Sequence, residues 1–161
     1  MCCTKPFFAF STDSERNKIL EYLQTQNLTI NDAEIFVKRQ SSKFVTGIPY
    51  YLINKKENGE CIFLKEDKSC LIQPVKPLDC LFWPLTFEFN PNTDELDILL
   101  GDCFFTKQIK KARILKEWVA KEQENLIKQI PNFSRDDLIA YNSLPNIAKF
   151  HLIFTITIPK V

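Results

Sequence analysis

Four cysteines, Cys61, Cys70, Cys80 and Cys103, fall within one stretch of the chain whose remaining residues are turns, prolines and short apolar runs. A fifth and sixth, Cys2 and Cys3, stand side by side at the start. Against these six thiols there is a single histidine, His151. Thiolates are soft, charged and short, so cysteines gathered in loops and strand ends suit zinc or iron, whereas one alone is usually a small buried hydrophobe. In a reducing compartment such cysteines bind metal or do redox chemistry more often than they form disulfides. None of the gaps is the two-residue spacing of an ordinary zinc finger.

The balance of the chain narrows the classes further. Its 161 residues carry 21 basic and 20 acidic side chains, a net charge of +1, which speaks against a protein devoted to non-specific binding of nucleic acid or anionic membrane. Only three glycines are present, Gly47, Gly59 and Gly101, so no glycine-rich phosphate loop or dinucleotide fingerprint can be written. No apolar run is long enough to span a bilayer, and Met1 to Phe10 lacks the order of a signal peptide; the expectation is a cytoplasmic protein with neither nucleic-acid nor membrane partners. One histidine excludes a histidine-rich catalytic zinc site, and on a strand His151 reads as structural or surface.

Local patterns predict an α+β fold in a single domain, residues 1–161, with a core over 2–105 and a C-terminal extension over 106–161. Thr12 and Glu15 fit a capping box for a helix over Thr12 to Gln26, with Ile19, Leu20 and Leu23 as its apolar stripe. Ala33 to Arg39 reads as a helix or a strand. Phe44 to Asn54 and Cys61 to Leu64 read as strands flanking an Asn58-Gly59 turn. Leu85 to Phe89 and Leu96 to Leu100 read as a hairpin closed by Pro91 to Asp94. Between the two pairs, Pro74, Pro77 and Pro84 predict a rigid loop without helix. One long amphipathic helix is expected over Lys107 to Ile130, ended by Pro131, then a capped helix over Ser134 to Tyr141 and a strand over Phe150 to Ile158. The basic run Lys107, Lys110, Lys111, Arg113 and Lys116 reads as a solvated helix face without exposed aromatic side chains among it.

The residues around the cysteines are more specific than their spacing. Cys61-Ile62-Phe63-Leu64, Cys70-Leu71-Ile72 and Lys76-Pro77-Leu78-Asp79-Cys80-Leu81-Phe82-Trp83-Pro84 together resemble the YkgJ-type cysteine-cluster family, a zinc- or iron-chelating domain. The resemblance covers about residues 2 to 105. Cys2-Cys3 matches the end of the family's N-terminal cysteine motif, and Cys103 its downstream cysteine. The sequence departs from the family where Lys76 stands for an arginine, Gln73 for a tyrosine, Leu81 for an arginine and Phe104-Phe105 for Pro-Gly. A lysine cannot reproduce the bidentate contacts of an arginine.

The resemblance implies a zinc ion or an iron–sulfur cluster held through Cys2, Cys3, Cys61, Cys70, Cys80 and Cys103. Zinc takes four donors, most simply Cys3, Cys61, Cys70 and Cys80 with Cys103 as a substitute. A four-iron cluster takes four thiolates and accepts adjacent cysteines more readily; six thiolates also suffice for two zinc ions with bridging sulfurs. Lys65, Lys68 and Lys76 either offset the negative charge of such a centre or are simply solvated. Two activities follow from these alternatives: a structural or redox metal module, or an enzyme related to flagellin lysine N-methylases. The second lacks a recognisable methyl-donor site in the sequence.

Overall fold

A computed structural model of the chain describes residues 8–28, 31–40, 48–130, 133–141 and 150–158. Cys2 and Cys3, Phe44 at the head of a predicted strand, and Pro131 lie outside the described residues. The architecture is α+β, with helices and two three-stranded antiparallel sheets. The chain divides into two compact units, residues 1–81 and 82–161.

The first unit opens with strand β1 (Phe10–Thr12), which runs directly into helix α1 (Asp13–Thr25). The predicted capping box is present: the Glu15 amide donates to Thr12 Oγ1 (3.3 Å) and the Thr12 amide to Glu15 Oε2 (2.9 Å). Each bond satisfies a donor that the start of the helix leaves open. The helix stops at Asn27, which takes a left-handed conformation (φ 56°), with the Leu28 amide returning to the Leu23 carbonyl (3.1 Å). Ala33 to Arg39 proves to be both alternatives in succession, a short helix α2 (Asp32–Ile35) followed by strand β2 (Phe36–Gln40). Strand β3 (Pro49–Ile53) lies between β1 and β2, antiparallel to both. Ile19 and Leu23 from α1 meet Ile35, Phe36, Tyr51, Ile53, Phe63 and Ile72 in one buried cluster.

Residues 55 to 82 depart from the expected strand and loop. The predicted strand Cys61 to Leu64 does not form. Its residues bend back on themselves, with the Leu64 amide donating to the Cys61 carbonyl (3.0 Å), and pairing shrinks to the single bridges Lys55–Cys61 and Leu64–Cys70. Two tight turns so close together leave no run of residues to build a ladder. The proline segment also holds helix: a 3-10 turn (Gln73–Val75) and a short helix α3 (Leu78–Phe82). Proline is excluded only from a helix interior. Pro74 sits in the first turn of one and Pro77 immediately before the other, where a missing N–H costs nothing.

In the second unit, strands β4 (Leu85–Asn90) and β5 (Glu95–Gly101) form the expected hairpin, pairing from Leu85 with Leu100 to Asn90 with Glu95. Leu85, Phe87 and Phe89 alternate onto the same buried face as Leu96, Ile98 and Leu100, as period-two patterning requires. Strand β6 (Phe150–Thr157) adds to β5 with one register shift between Ile98 and Leu99. The expected long helix over Lys107 to Ile130 is two: α4 (Phe104–Lys111) and α5 (Leu115–Gln129). Arg113 takes a left-handed conformation (φ 60°), its amide donating to the Lys110 carbonyl (3.1 Å) and that of Ile114 to Ile109 (3.2 Å). This pair of bonds is a Schellman stop built without its usual glycine. Helix α6 (Arg135–Tyr141) forms as expected, led by reciprocal Ser134–Asp137 hydrogen bonds, and its Tyr141 ring lies 4.4 Å from that of Phe87.

Candidate metal centre

Cys61 and Cys70 each close a tight turn. In the first, Gly59 adopts a left-handed φ of 81° that favours glycine, and its amide donates to the Lys56 carbonyl (2.8 Å). The Asn58 side-chain oxygen accepts the Glu60 amide (2.9 Å), and the chain then bridges Lys55 at Cys61. In the second, Lys68 is left-handed (φ 65°), Asp67 Oδ1 accepts the Ser69 amide (2.9 Å), and Cys70 bridges Leu64. The carboxylates of these turns are held ionised: Glu60 lies below the ordinary range through its hydrogen bonds to Lys68 and Asn58, Asp67 through those to Ser69.

Cys80 is placed differently, on helix α3. Its amide donates to the Pro77 carbonyl (3.0 Å), and two buried acids tie the start of that helix to the β1–α1 junction. Glu15, already capping α1, also accepts the Leu78 amide on Oε1 (2.7 Å). Asp79 Oδ2 accepts the Phe10 amide (3.2 Å). Asp79 as a residue keeps some exposure, but its carboxyl is withdrawn from water. Burial pushes that carboxyl up to about 7, the Phe10 N–H pulling against the rise and the nearby Glu15 adding to it.

The three thiols therefore arrive by three local routes yet share a neighbourhood. Cys61, Cys70 and Cys80 are each partly buried, and all three pack against the cluster formed by Ile19, Leu23, Ile35, Phe36, Tyr51, Ile53, Phe63 and Ile72. Among the described residues, no three His, Cys, Asp or Glu side chains form a group ready to hold a metal ion. Cys103 belongs to the second unit, where it precedes α4; its amide donates to Thr106 Oγ1 (2.8 Å), and its Sγ lies 3.7 Å from the same oxygen. His151 is exposed on β6, 3.7 Å from Asp102.

Three lysines around the turns are engaged. Lys68 pairs with Glu60 (3.0 Å), Lys65 with Asp67 (3.6 Å), and Lys56 donates to the Leu64 carbonyl. Sequence patterns did not single out Asp79 or the second role of Glu15. The available signal was an acid in the first turn of a helix led by proline, which Pro77-Leu78-Asp79 supplies. No family model, curated protein or solved structure matches the chain. No helix among the described residues is long and apolar enough to cross a membrane.

Proposed function

We propose that this chain is a metal-binding protein of the YkgJ-type cysteine-cluster kind, in which thiolates of Cys61, Cys70 and Cys80, with Cys3 or Cys2, hold a zinc ion or an iron–sulfur cluster. The observation that carries the reading is that Cys61, Cys70 and Cys80, brought in by two turns and a helix start, all lie on one apolar core. A site backed by apolar side chains limits water access and tunes the bound metal. The described chain begins close to this helix: the Phe10 amide donates to Asp79, the neighbour of Cys80.

The described thiols are not a closed three-donor group, so the reading requires the turns to draw in as metal is taken up and a donor from Cys2-Cys3 to complete the shell. Coupling of this kind is usual where binding energy is also folding energy. When bound, zinc supplies a structural crosslink and a cluster supplies one-electron transfer. The protein's own part is to keep the thiols together: Glu15 and Asp79 fix the helix carrying Cys80, and Gly59 permits the turn that presents Cys61.

Anaerobic purification followed by metal analysis and a visible spectrum tests this. Stoichiometric zinc without colour, or iron and sulfide with a broad visible band, is the expected result, lost in Cys70→Ser and in Cys80→Ser. Metal-free protein that takes up neither ion on reconstitution, or unchanged metal content in both variants, overturns it.

A further inference from the structure

We propose that the corner between α4 and α5 is a docking surface for the headgroup region of an anionic lipid bilayer. Thr106 and Ile109 are the buried residues of α4. At 100° per residue their side of the helix is opposite Phe104, which is 76% exposed. Phe105 and Ile114 follow at 42% and 45%. A phenylalanine on the solvent crest of a helix is costly to leave in water, and no described residue of its own unit covers this one.

The residues flanking that crest are cationic. Lys107 lies one helical turn from Phe104 and Lys111 two turns, both on its side of the helix, and Arg113 and Lys116 continue the run through the corner. Residues 102–118 hold five basic side chains (Lys107, Lys110, Lys111, Arg113, Lys116) and two acidic ones (Asp102, Glu117), a local charge of +3. The whole chain is +1, so the remainder is −2 and the positive charge is concentrated at this corner. Only Lys110 among the five is engaged within the patch, with Asp102 at 3.4 Å.

Apolar rings beside flexible lysines match an anionic membrane surface. The ring enters the acyl boundary while lysine stems lie along it and their ammonium groups reach the phosphates. The crest presents one outward ring, Phe104, whereas Phe105 packs edge-on against Trp118 (ring centroids 5.5 Å). Single-stranded nucleic acid instead takes a basic groove lined with stacking platforms. The corner needs no membrane-crossing segment and stands independently of the metal reading.

Co-sedimentation of the full chain with vesicles tests the proposal. Binding is expected to vesicles of three parts phosphatidylcholine to one part phosphatidylserine, to weaken as salt is raised, and to be absent with phosphatidylcholine alone. Each lysine at an anionic surface is worth about fivefold in affinity, so Lys107→Glu with Lys111→Glu should weaken binding by about 25-fold or more. Phe104→Ser, at an exposed position that leaves the circular dichroism unchanged, should weaken it by about tenfold. No binding to the mixed vesicles, equal binding to neutral ones, or an unaffected Phe104→Ser variant overturns the proposal. Retention on single-stranded DNA or polyglutamate without vesicle binding does so too.

Discussion

Glu15 is 5% exposed and its two carboxylate oxygens are committed to different elements, Oε2 to the Thr12 amide and Oε1 to the Leu78 amide. Replacing it with alanine leaves both of those buried N–H groups without this acceptor. Each such loss costs about 1–3 kcal/mol when the acceptor was charged, so Glu15→Ala should destabilise the first unit by about 3–5 kcal/mol. Glu15→Gln keeps the shape and one carbonyl oxygen, but its NH2 must face one of the two donors; it should cost about half as much. Urea unfolding followed by circular dichroism measures the difference. With a slope near 2 kcal/mol per molar, the alanine variant moves the midpoint by about 2 M. Amide hydrogen exchange at Leu78 and Thr12 adds a local readout and should accelerate in both variants. Glu21, exposed on the same helix, is the control, and its alanine variant should stay within about 0.5 kcal/mol of the parent. A Glu15→Ala protein within 1 kcal/mol of the parent, or a glutamine variant as damaged as the alanine one, would refute the double-staple argument.

Two further outcomes are expected. Asp79 is held protonated by burial up to about pH 7, whereas in the unfolded chain it ionises near 4. Its ionisation therefore works against the fold: metal-free protein should lose stability as pH rises from about 4 to 7 and level off above. The loss should be on the order of 2–4 kcal/mol, and Asp79→Asn should flatten it in urea titrations across that range. Arg113 carries the left-handed stop between α4 and α5, so Arg113→Gly should raise the thermal midpoint of the second unit, worth about 0.5–1 kcal/mol; a lowered midpoint would show that the arginine side chain outweighs its backbone.

Where sequence and structure agree, the signals were local and periodic. The capping box at Thr12 and Glu15, the β4–β5 hairpin and the α6 start each depend on residues within a few positions of one another, and each formed as read. The misses have equally specific causes. The break at Arg113 was illegible because the residue that usually marks a left-handed stop is glycine, and here the geometry is enforced on an arginine. Helix α3 is hidden in the sequence because proline breaks a helix only in its interior, and Pro77 stands just before this one. The exposure of Phe104 and Phe105 was invisible for another reason: burial follows which face meets the rest of the unit, and sequence pattern alone placed aromatic residues inward. Around the cysteines, spacing and neighbours identified the candidates. The buried acids that anchor Cys80 depend on contacts across more than sixty positions, beyond the reach of any local pattern.

The two turns that end at Cys61 and Cys70 run only from Lys55 to Cys61 and from Leu64 to Cys70. Closing loops of this length takes on the order of 10–100 ns and little entropy, whereas the Glu15–Leu78 staple must wait for distant chain to meet. Assembly of the first unit thus separates into a fast stage and a slow one. The turns bearing Cys61 and Cys70 can close on their own residues alone, while the helix bearing Cys80 is fixed by partners more than sixty positions away.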